Sequence, residues 1–157
     1  MEPVELILNL ITTEQLQALR TTAYPELRAD ENRGRDPVWH VGHLCVDFAK
    51  VLVTPFRGDA SMETRYAPAE FATLSGNKPW ETVRPTMEEV VRWVEDIRAE
   101  ALLTLRCHAQ SERLPKPVDL FTAKASTIQE ALIYAIYHNS YHFGCAHSLV
   151  GERLVVR

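Results

Sequence analysis

The sequence predicts an all-α protein, a four-helix bundle with a long irregular connection between its second and third helices. Three observations carry that expectation. Apolar residues recur at helical spacing along four stretches of the 157-residue chain, and no stretch alternates convincingly with period two. The connectors between the stretches hold Pro, Gly and Asn, and the later helices open on recognisable capping residues. Long helices joined in this way pack as an up-and-down or crossover bundle.

The first helix runs from Pro3 to about Thr22. Thr12-x-x-Gln15 has the form of a capping box, so a break at Thr12-Thr13 with a new start at Glu14 is one option. The polar segment "YPELRADENRGRDP" then reads as a loop. Asp36 stands at the N-cap and Pro37 at the first position of the second helix, which should end between Pro55 and Gly58. From Asp59 to Pro85 the chain is irregular, with room for one short helical turn. Connections of that length tend to be lids, binding loops or interface pieces. With Phe71 and Trp80 in it, this one is the choice for a lid, the alternative being a loop packed on the bundle's side.

Thr86-x-x-Glu89 is a capping box for the third helix, whose Val90, Val91, Val94, Ile97, Ala101, Leu102 and Leu105 keep helical spacing. "SERLPKPVDLFTAKAS" reads as a connector without a strand. The last helix starts at Ser126 or Thr127, with Gln129 or Glu130 closing the cap, and runs to about Val150 with Gly151 as its stop. The terminal "RLVVR" is too short to assign.

Bulk properties narrow the function. The length suits one domain over residues 1–157. A net charge of −4 with scattered Lys and Arg gives no reason to expect nucleic acid. No apolar run approaches the roughly 20 residues that cross a bilayer, so no membrane partner is expected. The start, "MEPVELILNLITTEQ", has no secretory pattern, which makes a cytoplasmic location the expectation. Cys45, Cys107 and Cys145 are odd in number and lack CxxC spacing, against a disulfide framework or a cysteine zinc site.

The chemistry concentrates in "IYHNSYHFGCAHSLVG", where His138 and His142 stand four residues apart. Ile128, Ala131, Leu132, Ala135, Asn139, Ala146 and Leu149 define an inward stripe that contains both histidines and Cys145. A buried imidazole needs partners, and an i, i+4 pair can reach one metal ion. The bland alternative is a pair of hydrogen-bonded core histidines. The second helix is apolar nearly all round and adds His40 and His43. His40 reads as packing or capping near the bundle end. Asp47, one turn past His43, is placed to orient that ring's second nitrogen. His108 and His147 read as surface residues, and Tyr137 and Tyr141 point off the stripe toward packing or an interface.

"DPVWHVGHL" together with "YHNSYHFGCA" resembles the DinB/YfiT-like superfamily, four-helix bundles with a three-histidine metal site. The resemblance follows the order of the elements over most of the chain, but its sharp motifs are these two. It implies His43, His138 and His142 as ligands, with Gly144 matching the glycine of the family's HxG pattern. Cys145 stands where glutamine is common in the family, and reads as a fourth ligand, a reactive thiol or a buried inert cysteine. The cofactor implied is a divalent ion, zinc or nickel first, with iron or manganese as further options. The activity implied is that of a metal-dependent hydrolase or low-molecular-weight-thiol transferase acting on a small-molecule substrate, with Asp47 and Asn139 as candidate catalytic side chains. Family members commonly pair, so a homodimer is expected. A non-catalytic protein that binds metal or a small ligand under stress is the alternative function, and a purely structural bundle the third.

Overall fold

The computed structural model describes residues 3–21, 36–58, 61, 71, 79–109, 111–120 and 123–155. Among these the chain is mostly helical and carries one small two-stranded sheet. The polar loop ahead of Asp36 and most of the stretch proposed as a lid lie outside the described residues.

Helix α1 (Pro3–Thr21) is unbroken. Thr12 does not start a second piece: it is buried, and its hydroxyl donates to the Leu8 carbonyl one turn back at 2.8 Å. That local bond satisfies the hydroxyl inside a continuing helix. Helix α2 (Pro37–Phe48) opens as expected, with the Asp36 carboxylate accepting from the Val38 N–H at 3.0 Å. Every residue of α2 is buried. It widens into a π-helical segment (Ala49–Val53) and passes into a short helix α3 (Thr54–Arg57). Pro55 accounts for the widening: it has no N–H for the Val51 carbonyl, and its ring would crowd that carbonyl in a regular helix. Gly58 then ends the run at φ +67°, returning its N–H to the Thr54 carbonyl at 2.9 Å.

Helix α4 (Met87–Arg106) begins on the expected reciprocal box, the Glu89 N–H donating to Thr86 and the Thr86 N–H to Glu89. Its expected stripe is buried except for Leu102, which is half-buried. The connector that follows contradicts its reading as strandless. It forms an antiparallel hairpin of β1 (Arg113–Asp119) and β2 (Lys124–Thr127), paired Arg113 to Thr127, Val118 to Ala125 and Asp119 to Lys124. Pro115 and Pro117 remove two ladder donors, and the register is irregular between Arg113 and Val118. They also hide the strand pattern from the sequence.

Helix α5 (Ile128–Val155) starts on the Thr127 and Glu130 pair, which exchange bonds of 3.3 and 3.1 Å. It does not stop at Gly151, which lies inside the helix, and "RLV" of the terminal segment is helical with it. Glycine permits a helix end without requiring one; mid-helix it costs about 1 kcal/mol relative to Ala.

Helix α2 packs between α4 and α5, and α1 packs on α5. Phe48, Leu44 and Leu52 from α2 and its extension, Ile97 from α4, and Leu132 and Phe143 from α5 are among the fully buried side chains. A second device holds the start of α2. Beyond its capping role, Asp36 receives the Trp80 indole N–H at 3.0 Å and two bonds from Arg84, at 2.6 and 2.9 Å. Asp36→Ala removes a cap and strands a partly buried guanidinium, so it should cost about 3 kcal/mol. Asp36→Asn, which keeps a capping oxygen, should cost less. Urea denaturation midpoints of the two variants check this, and equal losses would count against the cap.

Candidate metal centre

The i, i+4 spacing puts His138 and His142 on one face of α5, and that face meets α2. There His43 joins them. The three offer ligand atoms that all lie within 4.8 Å of one another. Their ring centroids are 4.5 to 5.2 Å apart. His40, His43, Asp47, His138 and His142 are each 5–7% exposed, whereas Val41, Leu44 and Phe48 of the same helix are at zero. The cluster is therefore buried, with only slight residual access to solvent.

Hydrogen bonds decide which nitrogens face inward. His43 Nδ1 lies 2.6 Å from the Phe71 carbonyl. A carbonyl only accepts, so Nδ1 carries the proton and Nε2 the lone pair. His138 Nδ1 likewise donates to Asp47 Oδ1 at 2.9 Å, with the Tyr134 hydroxyl 3.1 Å away. Asp47 thus orients His138 across the helix pair and not His43, its neighbour on α2, as the spacing suggested. Its other oxygen is buried without a hydrogen-bond partner among the described residues. Both rings show the pattern of metal-binding histidines, with the remote nitrogen held by an acceptor.

Around them, Trp39 stacks on His43 with ring centroids 5.1 Å apart and meets His40 and His142 edge-on. Phe71 approaches α2 so closely that a Cβ at Gly42 would strike its ring. The Phe71 ring in turn meets the Trp80 indole edge-on at 5.6 Å. These described parts of the long connection therefore close over α2.

His40 stands in the first turn of α2. It is buried in the cluster, with Nδ1 2.9 Å from Nδ1 of His142. Cys145 is half-buried and outside the three-histidine group. Asn139 is fully buried, and neither atom of its amide has a partner among the described residues. Tyr137 and Tyr141 are exposed. His147 and His108, expected at the surface, are half-buried. His147 meets Gln15 of α1 at 2.9 Å, and His108 packs on Phe56 and meets Glu112 at 3.0 Å.

Burial, and then the neighbouring imidazoles of His43, His138 and His40, push His142 down to about 2. Burial also lowers His43, against the opposing pull of the Phe71 carbonyl and Asp47. Both rings are therefore neutral at neutral pH, the form a metal requires. The contact between His142 Nε2 and His138 Nε2, 2.8 Å, sharpens the point. Two lone pairs cannot face each other at that distance, so a proton or a cation must stand between them. The residues fit a divalent ion.

No protein-family model, no curated protein and no solved structure matches the chain. Among the described residues, no helix is long and apolar enough to cross a membrane.

The depressed pKa of His142 sets a pH dependence. Its unfolded value lies near 6.5, so as pH falls below that value the unfolded chain takes up a proton that the folded ring refuses. Stability is full above pH 6.5 and declines below it, by about 1 kcal/mol between pH 6.5 and 5.5 from this group alone. Urea titrations of metal-free protein should show the midpoint dropping over that interval, with a flatter profile in His142→Phe.

Proposed function

We propose that the chain is a metal-dependent enzyme of the hydrolase or low-molecular-weight-thiol transferase kind, on a DinB/YfiT-like four-helix bundle. The observation that carries this reading is the convergence of His43, His138 and His142 as buried neighbours able to hold one ion. An all-imidazole donor set suits zinc or nickel better than manganese, which prefers oxygen ligands. Three protein donors suit a working ion, because structural zinc sites are normally closed by four. When bound, such an ion supplies a Lewis acid with an open position, able to acidify a coordinated water or thiol.

The chain's residues would do the remaining work. The Asp47 carboxylate and the Phe71 carbonyl fix the rings of His138 and His43. Trp39 and the apolar wall of α2 limit water, which strengthens every charge interaction at the site. Asp47 is committed to His138, which makes it an orienting group first; Asn139 keeps its place as a candidate for substrate contact.

Metal analysis of protein made without a histidine tag should find near-stoichiometric zinc or nickel, lost in His142→Ala. Excess chelator should lower the melting temperature of the wild type and leave the variant unmoved, since an ion bound at a hundred times its Kd stabilises by about 2.7 kcal/mol. Wild-type protein without metal, and indifferent to added zinc, would sink the reading.

Pairing of two copies belongs to the same proposal. Ile133, Tyr137 and Tyr141 form an exposed stripe along α5, at 54%, 70% and 58% exposure. Sedimentation should give a dimer that Tyr137→Glu converts to monomer; a monomeric wild type refutes the pairing alone.

A further inference from the structure

His43 is held from outside the pair of helices that carries the cluster. Its Nδ1 lies 2.6 Å from the Phe71 carbonyl, in the connection that leads into α4. A carbonyl only accepts, so the ring is the donor and its orientation depends on where the carbonyl stands. A main-chain acceptor has no side chain of its own to fix it. Its place is set by whatever seats the residue that carries it.

Two contacts seat Phe71. The tip of its ring rests on α2 at Gly42, in the space a Cβ would fill. Its other neighbour is Trp80, which meets the ring edge-on with centroids 5.6 Å apart. Trp80 is anchored in turn, giving its indole N–H to the Asp36 carboxylate at 3.0 Å. Arg84 closes on the same carboxylate with bonds of 2.6 and 2.9 Å. Asp36 and Gly42 stand six residues apart on α2, about 9 Å along its axis. The connection is thus pinned to α2 at two points, and His43 adjoins the second. Phe71 is fully buried, which leaves its ring little room to turn away while its backbone stays. A ring driven off Gly42 therefore carries the carbonyl with it.

We infer that Trp80 is a positioning residue of the metal centre: anchored on Asp36, it holds the Phe71 ring against Gly42 and so keeps the Phe71 carbonyl on His43. The coupling is reciprocal. A seated Phe71 favours an ion at His43, and an ion at His43 favours the seated Phe71 by the same factor. The bond from the Trp80 indole to Asp36 then reports an ion that neither residue touches. The role also gives one account of Gly42 and of the polar clip at Asp36, two features of α2 that no ligand requires.

This inference rests on the metal-centre reading, and the outcomes separate their failures. Zinc affinity, read by competition with a chromophoric chelator, should fall in Trp80→Ala by about 10–100-fold, the usual range for disturbing a partner behind a ligand. Gly42→Ala, which displaces the same ring from the other side, should show a loss in that range. Alanine is the better helix former, so a weaker α2 would not explain it. In wild type, zinc should slow hydrogen exchange of the Trp80 indole N–H by a comparable factor, and Gly42→Ala should abolish that slowing. The last two measurements stand even if Trp80→Ala fails to fold. A merely structural clip would lower the melting temperature of Trp80→Ala and leave zinc affinity and the response of the indole alone. Wild type that takes up no zinc overturns the metal centre itself. Wild type that binds zinc, with Gly42→Ala within about twofold of it or with indole exchange indifferent to the ion, overturns the role of Trp80 alone.

Discussion

The structure turns on desolvation of imidazoles between α2 and α5. A neutral ring taken out of water still carries a donor and an acceptor, and each left unpaired costs on the order of 1–3 kcal/mol. Four imidazoles meet at one place, His40 and His43 from α2 and His138 and His142 from α5. Neighbours along α5 meet part of that need, with His138 beside His142 and the Tyr134 hydroxyl, while the i→i−4 ladder leaves the rings nothing on the backbone. The two helices must therefore supply partners to each other, or to something held between them. Asp47 to His138 and His40 to His142 are both bonds of α2 to α5. This cross-helix pairing joins the facing sides of α2 and α5 alongside the apolar contacts around it.

The same constraint explains why the outer parts of the molecule are arranged as they are. His43 finds no acceptor on α5 for its Nδ1; its bond goes to the Phe71 carbonyl, in the connection between α3 and α4. That connection is anchored again at Asp36, the residue that starts α2. The beginning of α2, the middle of α2 and the lead into α4 are thus tied by polar bonds at intervals, with Phe71 and Trp80 packed between the ties. Packing of α4 against α2 then closes the far side with Val90, Val94 and Ile97, none of which brings a polar group near the cluster.

What the sequence made legible was local or periodic. The caps at Asp36 and Thr86, the stripe on α5 and the inward pair His138 and His142 follow from spacing, because spacing is what sets a helix face. The hairpin of β1 and β2 did not show: only Leu114 and Val118 of β1 are buried, four residues apart, and prolines interrupt what period there is. The break weighed as an option at Thr12 of α1 and the stop expected at Gly151 of α5 do not occur, for one reason. Residues that favour helix ends also sit mid-helix when a local bond or the neighbouring packing makes it cheap. At the site, the missed partners were those that no side-chain pattern announces. A carbonyl acceptor such as that of Phe71 belongs to every residue type. Asp47 was found as an orienting group but assigned to the histidine nearest in sequence, although on a helix face the closer neighbour lies across the interface.

Gly42 shows how such a hidden partner can still leave a trace. It stands between His40 and His43 in "WHVGHL", in the interior of a buried helix, where glycine costs about 1 kcal/mol relative to alanine. Its φ is not positive, so conformational freedom does not account for it. The Phe71 ring does: it occupies the space a Cβ would take. The ring's approach and the carbonyl's reach to His43 come from one residue, so the missing methyl on α2 and the fixed imidazole one residue later are two consequences of the same contact. A glycine with no conformational reason, one position from a candidate ligand, marks where another segment comes close enough to hold that ligand in place.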